Sequence, residues 1–231
     1  MGVTDFVRTA SFLGRLGRYN QVFDSNRRNY SPETQKRFLD DNVLDVGNRI
    51  KSRYGVTVLL IFPPPRESSA ISEISRVRRE LLKHELVKGR VIPNPIQRLH
   101  ITLLTGRVFG VLDRPLTQEE LIEREQRFKG MGWQNYRISE IYLHGLSLSP
   151  TMRIWAQGLP REEEVDFTNN PVFSMSLLTY KRPISSSEAE ALFRFLEDFR
   201  DLPFGREENA FKALVYYNDV FLKNYRIIER A

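Results

Sequence analysis

The run Val56 to Phe62 constrains this chain more than any other segment. Its residues are all apolar or β-branched, and Pro63-Pro64-Pro65 follows directly. Proline cannot donate to a strand ladder, so the run is closed there and reads as a buried strand. It is also the longest apolar stretch, far short of the roughly 20 residues that cross a bilayer. At 231 residues, with 41% hydrophobic and 11% aromatic, the chain has the material for a core, which excludes whole-chain disorder. One domain, or two closely packed lobes, is expected.

The elements around that strand carry their own signals. Ser31-Pro32-Glu33 starts a helix, with Ser as N-cap, Pro first and an acid in the first turn. Phe38, Leu39, Val43, Val46 and Ile50 extend it at helical spacing to about residue 53. Ser68 to Lys88 has Ile71, Ile74, Leu81, Leu82 and Leu86 on one face and is stopped by Gly89. Pro93 and Pro95 keep the next segment extended. Thr117 and Glu120 form a capping box for a helix to Lys129, and Ser185 to Glu188 opens another to about Phe199. Strands are expected at Leu99 to Leu104, Tyr136 to Leu148, Met152 to Gln157, Val172 to Tyr180, Ala210 to Tyr217 and Leu222 to Ile228. A hairpin joins the second and third at Ser149-Pro150, whereas Asn20 to Asn29 and Arg161 to Asn170 read as loops. The expected class is α+β. Residues 1–54 form an N-terminal extension with a helix at about 32–53, and residues 55–231 a bilobal domain of two helix-backed, mainly antiparallel sheets around a central cleft.

Composition narrows the chemistry. Cysteine is absent, so disulfides, thiolate metal sites and a cysteine nucleophile are excluded, and histidine chemistry has three candidates, His84, His100 and His144. There is no Walker loop, no HExxH and no cluster of metal ligands, so neither metal nor cofactor is expected. The net charge of +6 suits a polyanion such as RNA or a phosphate ester, and equally an ordinary soluble protein. No secretory or myristoylation signal is present. Residues 1–18 resemble a transit peptide only faintly, with Gly14 and Gly17 weakening the helix. A soluble, cytoplasmic monomer without membrane contact is expected.

The most informative segment is Leu99-His100-Ile101-Thr102-Leu103. A strand puts His100 and Thr102 on one face, about 7 Å apart along the backbone. An imidazole moves protons near neutral pH and a hydroxyl anchors phosphate oxygens, a pairing suited to attack on a phosphodiester. A strand with one polar face toward solvent explains the same residues.

In this segment, and in the strand, amphipathic helix and Pro-containing stretch before it, the chain resembles the two-histidine phosphoesterases. These include the LigT-type 2′-5′ RNA ligases and 2′,3′-cyclic phosphodiesterases. The resemblance spans roughly residues 55–228 in element order. It implies a metal-independent phosphodiesterase acting on RNA ends or cyclic nucleotides, with His100, Thr102 and Ser176 as catalytic residues. The family carries a second His-x-Thr/Ser on the matching strand, which here reads Val172-Phe173-Ser174-Met175-Ser176-Leu177. Ser174 stands where the second imidazole is expected, and a serine hydroxyl is a poor proton shuttle near pH 7.

His144 does not fit the two-residue pattern, because its next hydroxyl, Ser147, falls three residues on and on the opposite strand face. His84 reads as solvated. The basic residues Arg76, Arg78, Arg79, Lys83, Lys88 and Arg90 fit a solvated helix face or a phosphate-contacting one. Ser174, Tyr180, Arg107 and Arg153 are candidate substrate contacts. Three readings therefore stand: a phosphodiesterase of weak activity, a catalytically degenerate module that binds RNA or nucleotide phosphate, and a scaffold whose His-Thr pair is accidental.

Overall fold

The structure is a computed structural model that describes residues 17, 20–42, 51–104, 110–135, 138, 140–160, 173–219, 222 and 225–231. The described helices are α1 (residues 20–28), α2 (Pro32–Asn42), α3 (Ser69–Lys83), α4 (Gln118–Gly130) and α5 (Ser186–Glu197). The strands are β1 (Ser52–Ile61), β2 (Val91–Pro93), β3 (His100–Leu104), β4 (Ile141–Leu148), β5 (Arg153–Pro160), β6 (Phe173–Tyr180), β7 (Pro203–Glu207), β8 (Phe211–Asp219) and β9 (Tyr225–Arg230). They build two antiparallel sheets, a four-stranded one in the order β3-β1-β8-β9 and a five-stranded one in the order β2-β6-β5-β4-β7. The class is α+β.

Helix ends follow the sequence signals. The hydroxyls of Ser68, Thr117 and Ser185 each accept the N3 backbone N–H, and the last two complete reciprocal capping boxes with Glu120 and Glu188. The helix after Ser68 ends at Lys83, earlier than Gly89, because His84 leaves helical geometry and turns fill the stretch to Arg90. Gly89 lies in those turns at φ +73°. Of the helix expected at about 32–53, Pro32–Asn42 is observed and residues 43–50 lie outside the described ones. The acidic loop Arg161 to Asn170 and residues 1–16 lie outside them as well.

One core joins the sheets on their helix-covered sides. Ile71, Ile74 and Leu81 of α3, Leu192, Phe193 and Leu196 of α5, Leu60 of β1 and Ile101 of β3 all enter it, with the inward residues of β4, β5 and β6. Each such aliphatic side chain contributes about 1.5–3 kcal/mol by burial. A second cluster packs Phe128 of α4 and Trp133 against Val56, Val58 and Leu214 on the same side of the four-stranded sheet. The opposite face of that sheet carries a smaller cluster, Leu59, Ile61, Ala213, Val215, Tyr217 and Leu222.

The loop expected at Asn20 to Asn29 is instead helix α1 over residues 20–28. Its polar sequence hides one fully buried residue, Phe23, edge-on to Phe193 of α5. Arg27 pairs with Glu190 and Glu197, and Arg200 reaches Asn20 and Asp24. Tyr30 donates to the Ile184 carbonyl, and Gln35 bonds both Arg182 and Ile184. The N-terminal helices are thus docked on α5 and the β6–α5 connection. Partners some 150 residues away stabilise a segment whose local sequence lacks an apolar stripe.

Candidate functional site

Strand β3 is an edge of the four-stranded sheet, and β6 lies second in the five-stranded one. The two strands meet, with Cα atoms of one within 8 Å of the other. The approach is set locally. β2 pairs with the end of β6, Asn94 donates its amide to the Ser176 carbonyl, and Pro95 with a single 3₁₀ turn (Ile96–Arg98) turns the chain into β3. Ile101 points into the shared core, where its Cδ1 lies 2.8 Å from where a Cβ on Gly158 would stand. Strand alternation turns His100 and Thr102 the other way. They sit opposite Ile61 and Leu59 of β1, on the face that carries the smaller apolar cluster.

His100 is held at a defined tautomer. Its Nδ1 lies 2.8 Å from the Arg98 carbonyl oxygen, which can only accept, so Nδ1 carries the proton and Nε2 keeps a lone pair. The ring is surrounded by protein although part of its surface stays exposed, and burial pushes its pKa below the ordinary histidine value. The Arg98 carbonyl and the Asp219 charge oppose that shift without cancelling it. At neutral pH His100 is therefore a neutral imidazole, a base rather than an acid or a cationic phosphate clamp. Thr102, Ser174 and Ser176 are half-buried, and their hydroxyls make no hydrogen bond among the described residues.

The face of the five-stranded sheet beyond Ser174 and Ser176 is polar. Gln157 of β5 is the cross-strand partner of Ser174, and Trp155 that of Ser176. On β4, His144 faces Gln157 and Ser147 faces Trp155. His144 and Ser147 thus share one face, contrary to the alternation expected from their spacing. A bulge at Gly145 causes this: its φ is +59°, the register shifts between His144 and Leu146, and the Gly145 N–H donates to the Leu202 carbonyl. A glycine inside a strand pattern was the available signal.

Five polar atoms on this face are buried without a hydrogen-bond partner: His144 Nδ1, Ser147 Oγ, Trp155 Nε1, Gln157 Oε1 and, opposite Arg153, Thr179 Oγ1. Each such atom costs on the order of 1–3 kcal/mol when left unpaired. Burial pushes the His144 pKa down, partly offset by the Asp201 charge and backbone.

The other expected contacts fall in different places. Arg153 is on the Trp155 and Gln157 side of β5, with its guanidinium over the Phe38 ring of α2. Tyr180 is not a cleft residue. It is fully buried in the shared core, its hydroxyl donates to the Leu86 carbonyl at 2.6 Å, and burial drives its pKa far up. Arg107 lies outside the described residues. Of the basic set on and after α3, Arg76 pairs with Glu73, Lys83 with Glu80 and Arg90 with Glu188, as a solvated face does. His84 is structural: it ends α3, accepts the Leu86 N–H and stacks on Phe195 at 3.7 Å between centroids. Among the described residues no group of three or more acidic or histidine side chains could hold a metal. No helix of the described residues is long and apolar enough to cross a membrane.

Neither a family model nor a curated protein matches the chain. Among solved structures it is similar to the crystal structure of a conserved protein of unknown function from Agrobacterium tumefaciens str. C58. That similarity has a TM-score of 0.53 at 13% identity, over 83% of this chain and 91% of the other. At that identity the likeness is one of fold alone.

Proposed function

We propose that the chain is a bilobal protein of the two-histidine phosphoesterase type, binding the phosphate of 2′,3′-cyclic nucleotides or RNA ends and hydrolysing it weakly. The observation that carries this reading is the meeting of β3 and β6, with His100 held as a base on one strand and unpartnered hydroxyls on both. Thr102, Ser174 and Ser176 would donate to the phosphoryl oxygens. His100 Nε2 would take a proton from the attacking water as its oxygen bonds to phosphorus. One ribose oxygen then leaves and must be protonated. In the resembling family the second imidazole does this; here Ser174 occupies its position, so the proton comes from solvent and the step is slow. Neither a metal nor a cofactor enters this scheme, and the protein acts as a cytoplasmic monomer. The second reading, a phosphate-binding module without turnover, is favoured by the same serine.

Calorimetric titration with inorganic phosphate and with 2′,3′-cyclic AMP tests the site. Both should bind the natural protein, and Thr102→Ala combined with Ser176→Ala should weaken both about tenfold or more, whereas His100→Ala should act on turnover rather than on affinity at neutral pH. Failure of the natural protein to bind either would overturn the reading.

A further inference from the structure

Arg98 holds His100 through its carbonyl and is itself held from a distant part of the chain. Its guanidinium Nη1 donates to the Tyr225 carbonyl at 3.3 Å and lies over the Tyr225 ring, 4.6 Å from the centroid. Tyr225 is the first residue of β9, 127 positions away in sequence. Strand register alone would keep the two apart. Tyr225 is level with Tyr217 and, through it, with Gly55 of β1, whereas His100 is level with Ile61. Gly55 to Ile61 is six residues, roughly 20 Å of strand, beyond the reach of one side chain. The sheet therefore coils until the start of β9 lies over the entrance to β3. Two more residues of this region arrive at the same place. Leu222 joins the cluster of Leu59 and Ile61, the partners of Thr102 and His100, and Asp219 acts by charge on the His100 ring.

The carbonyl that orients His100 ends a single 3₁₀ turn, so few bonds place it. The Arg98 N–H donates to the Pro95 carbonyl at 3.0 Å, and the Leu99 carbonyl accepts the Phe62 N–H at 3.3 Å. The guanidinium on Tyr225 is a third point of attachment. What depends on it is the lone pair. With the carbonyl in place, Nδ1 carries the proton and Nε2 is bare. An imidazole released from that carbonyl distributes its proton over both nitrogens, and Nε2 is then a base only part of the time. Arginine suits the clasp because its planar group stacks on a ring and donates to a carbonyl at once, which an ammonium does not.

We propose that Arg98 is a positioning residue for His100: its guanidinium, clasped on Tyr225, fixes the carbonyl that leaves Nε2 bare, and the start of β9 thereby belongs to the site. The consequence for turnover rests on the reading of β3 and β6 as a phosphodiester site. The hold on the imidazole does not.

The test reads the imidazole directly in the full chain. At neutral pH, ¹⁵N NMR separates a protonated ring nitrogen from a bare one, and His100→Gln identifies the His100 signals. The natural protein should show Nδ1 protonated and Nε2 bare. Arg98→Met keeps the apolar stem and removes the guanidinium. It should mix the two tautomers and lower kcat on 2′,3′-cyclic AMP about tenfold, with inorganic phosphate bound as before. Tyr225→Leu removes the ring from the other side of the clasp and should mix the tautomers as well, so the outcome does not hang on one variant. Arg98→Lys keeps the charge without the planar group and should restore little. An unchanged tautomer in Arg98→Met and Tyr225→Leu, whatever their Tm, would overturn the proposal by making the clasp purely structural. So would full recovery in Arg98→Lys, which would leave charge alone at work. Mixed tautomers in a chain whose natural form turns over no cyclic phosphate would keep the clasp and overturn the phosphodiesterase reading.

Discussion

The two strands that meet at the candidate site are built from the same pattern and serve unequal chemistry. β3 places His100 and Thr102 beside an apolar cluster, with the imidazole anchored to the Arg98 carbonyl. β6 places Ser174 and Ser176 at the same alternation, but its neighbours across β5 and β4 are polar and unpaired. An apolar surround makes a neutral base. A polar surround leaves buried hydrogen-bonding groups without partners. The difference teaches that one alternating pattern, His-x-Thr on β3 and Ser-x-Ser on β6, takes its chemistry from the strands beside it.

Three perturbations bear on that contrast. The largest effect is expected at Gly145, whose φ of +59° favours glycine and whose added Cβ would run into the Arg200 carbonyl oxygen. Gly145→Ala should lower unfolding stability by about 3 kcal/mol or more in urea titrations. A neutral Gly145→Ala would break the account of the polar face.

Next is pH. Burial lowers the pKa of His100 and of His144, so the unfolded chain takes up protons that the folded chain refuses. Stability from this source is complete above about pH 6.5 and is lost as pH falls below it, at up to about 1.4 kcal/mol per pH unit for each histidine. Thermal melts between pH 7 and pH 5 should show the decline. Saturating phosphate should offset the His100 share, because a bound anion favours imidazolium, and His100→Gln should remove that offset. A melting temperature flat over this range would contradict the burial of both rings.

The smallest effects compare the two strands directly. Thr102→Ala and Ser176→Ala should each weaken phosphate by about threefold to tenfold, the value of one hydroxyl contact. Equal losses mean one phosphate shared by β3 and β6. A loss confined to one strand would place the phosphate on that strand alone.

Much of the architecture was legible because local signals agreed with the fold. The Ser68, Thr117 and Ser185 caps, the buried run of β1 and the paired polar positions of β3 and β6 all behave as their residues dictate. What was missed depends on partners distant in sequence. Helix α1 is set by Phe23 against Phe193 and by Arg27 against α5. Strand β7, with Pro203 and Gly205, exists because β4 offers it an edge. The polar face was hidden by one residue: regular alternation separates His144 from Ser147, and only the Gly145 bulge brings them together. Tyr180 misled for a like reason: alternation from Ser174 and Ser176 puts it on their face, and a register shift opposite Leu177 turns it into the core.

The proposed chemistry has His100 as its single proton-transfer group, with Ser174 where the resembling family carries a second imidazole. Turnover of 2′,3′-cyclic AMP, followed with EDTA present, measures it directly in the natural protein, Ser174→His and His100→Ala. The natural protein should turn over slowly. Ser174→His should be faster, toward the 10²–10⁴-fold that a general acid supplies, and His100→Ala should remove the activity of both backgrounds. Rapid turnover by the natural protein that survives His100→Ala would contradict the claim.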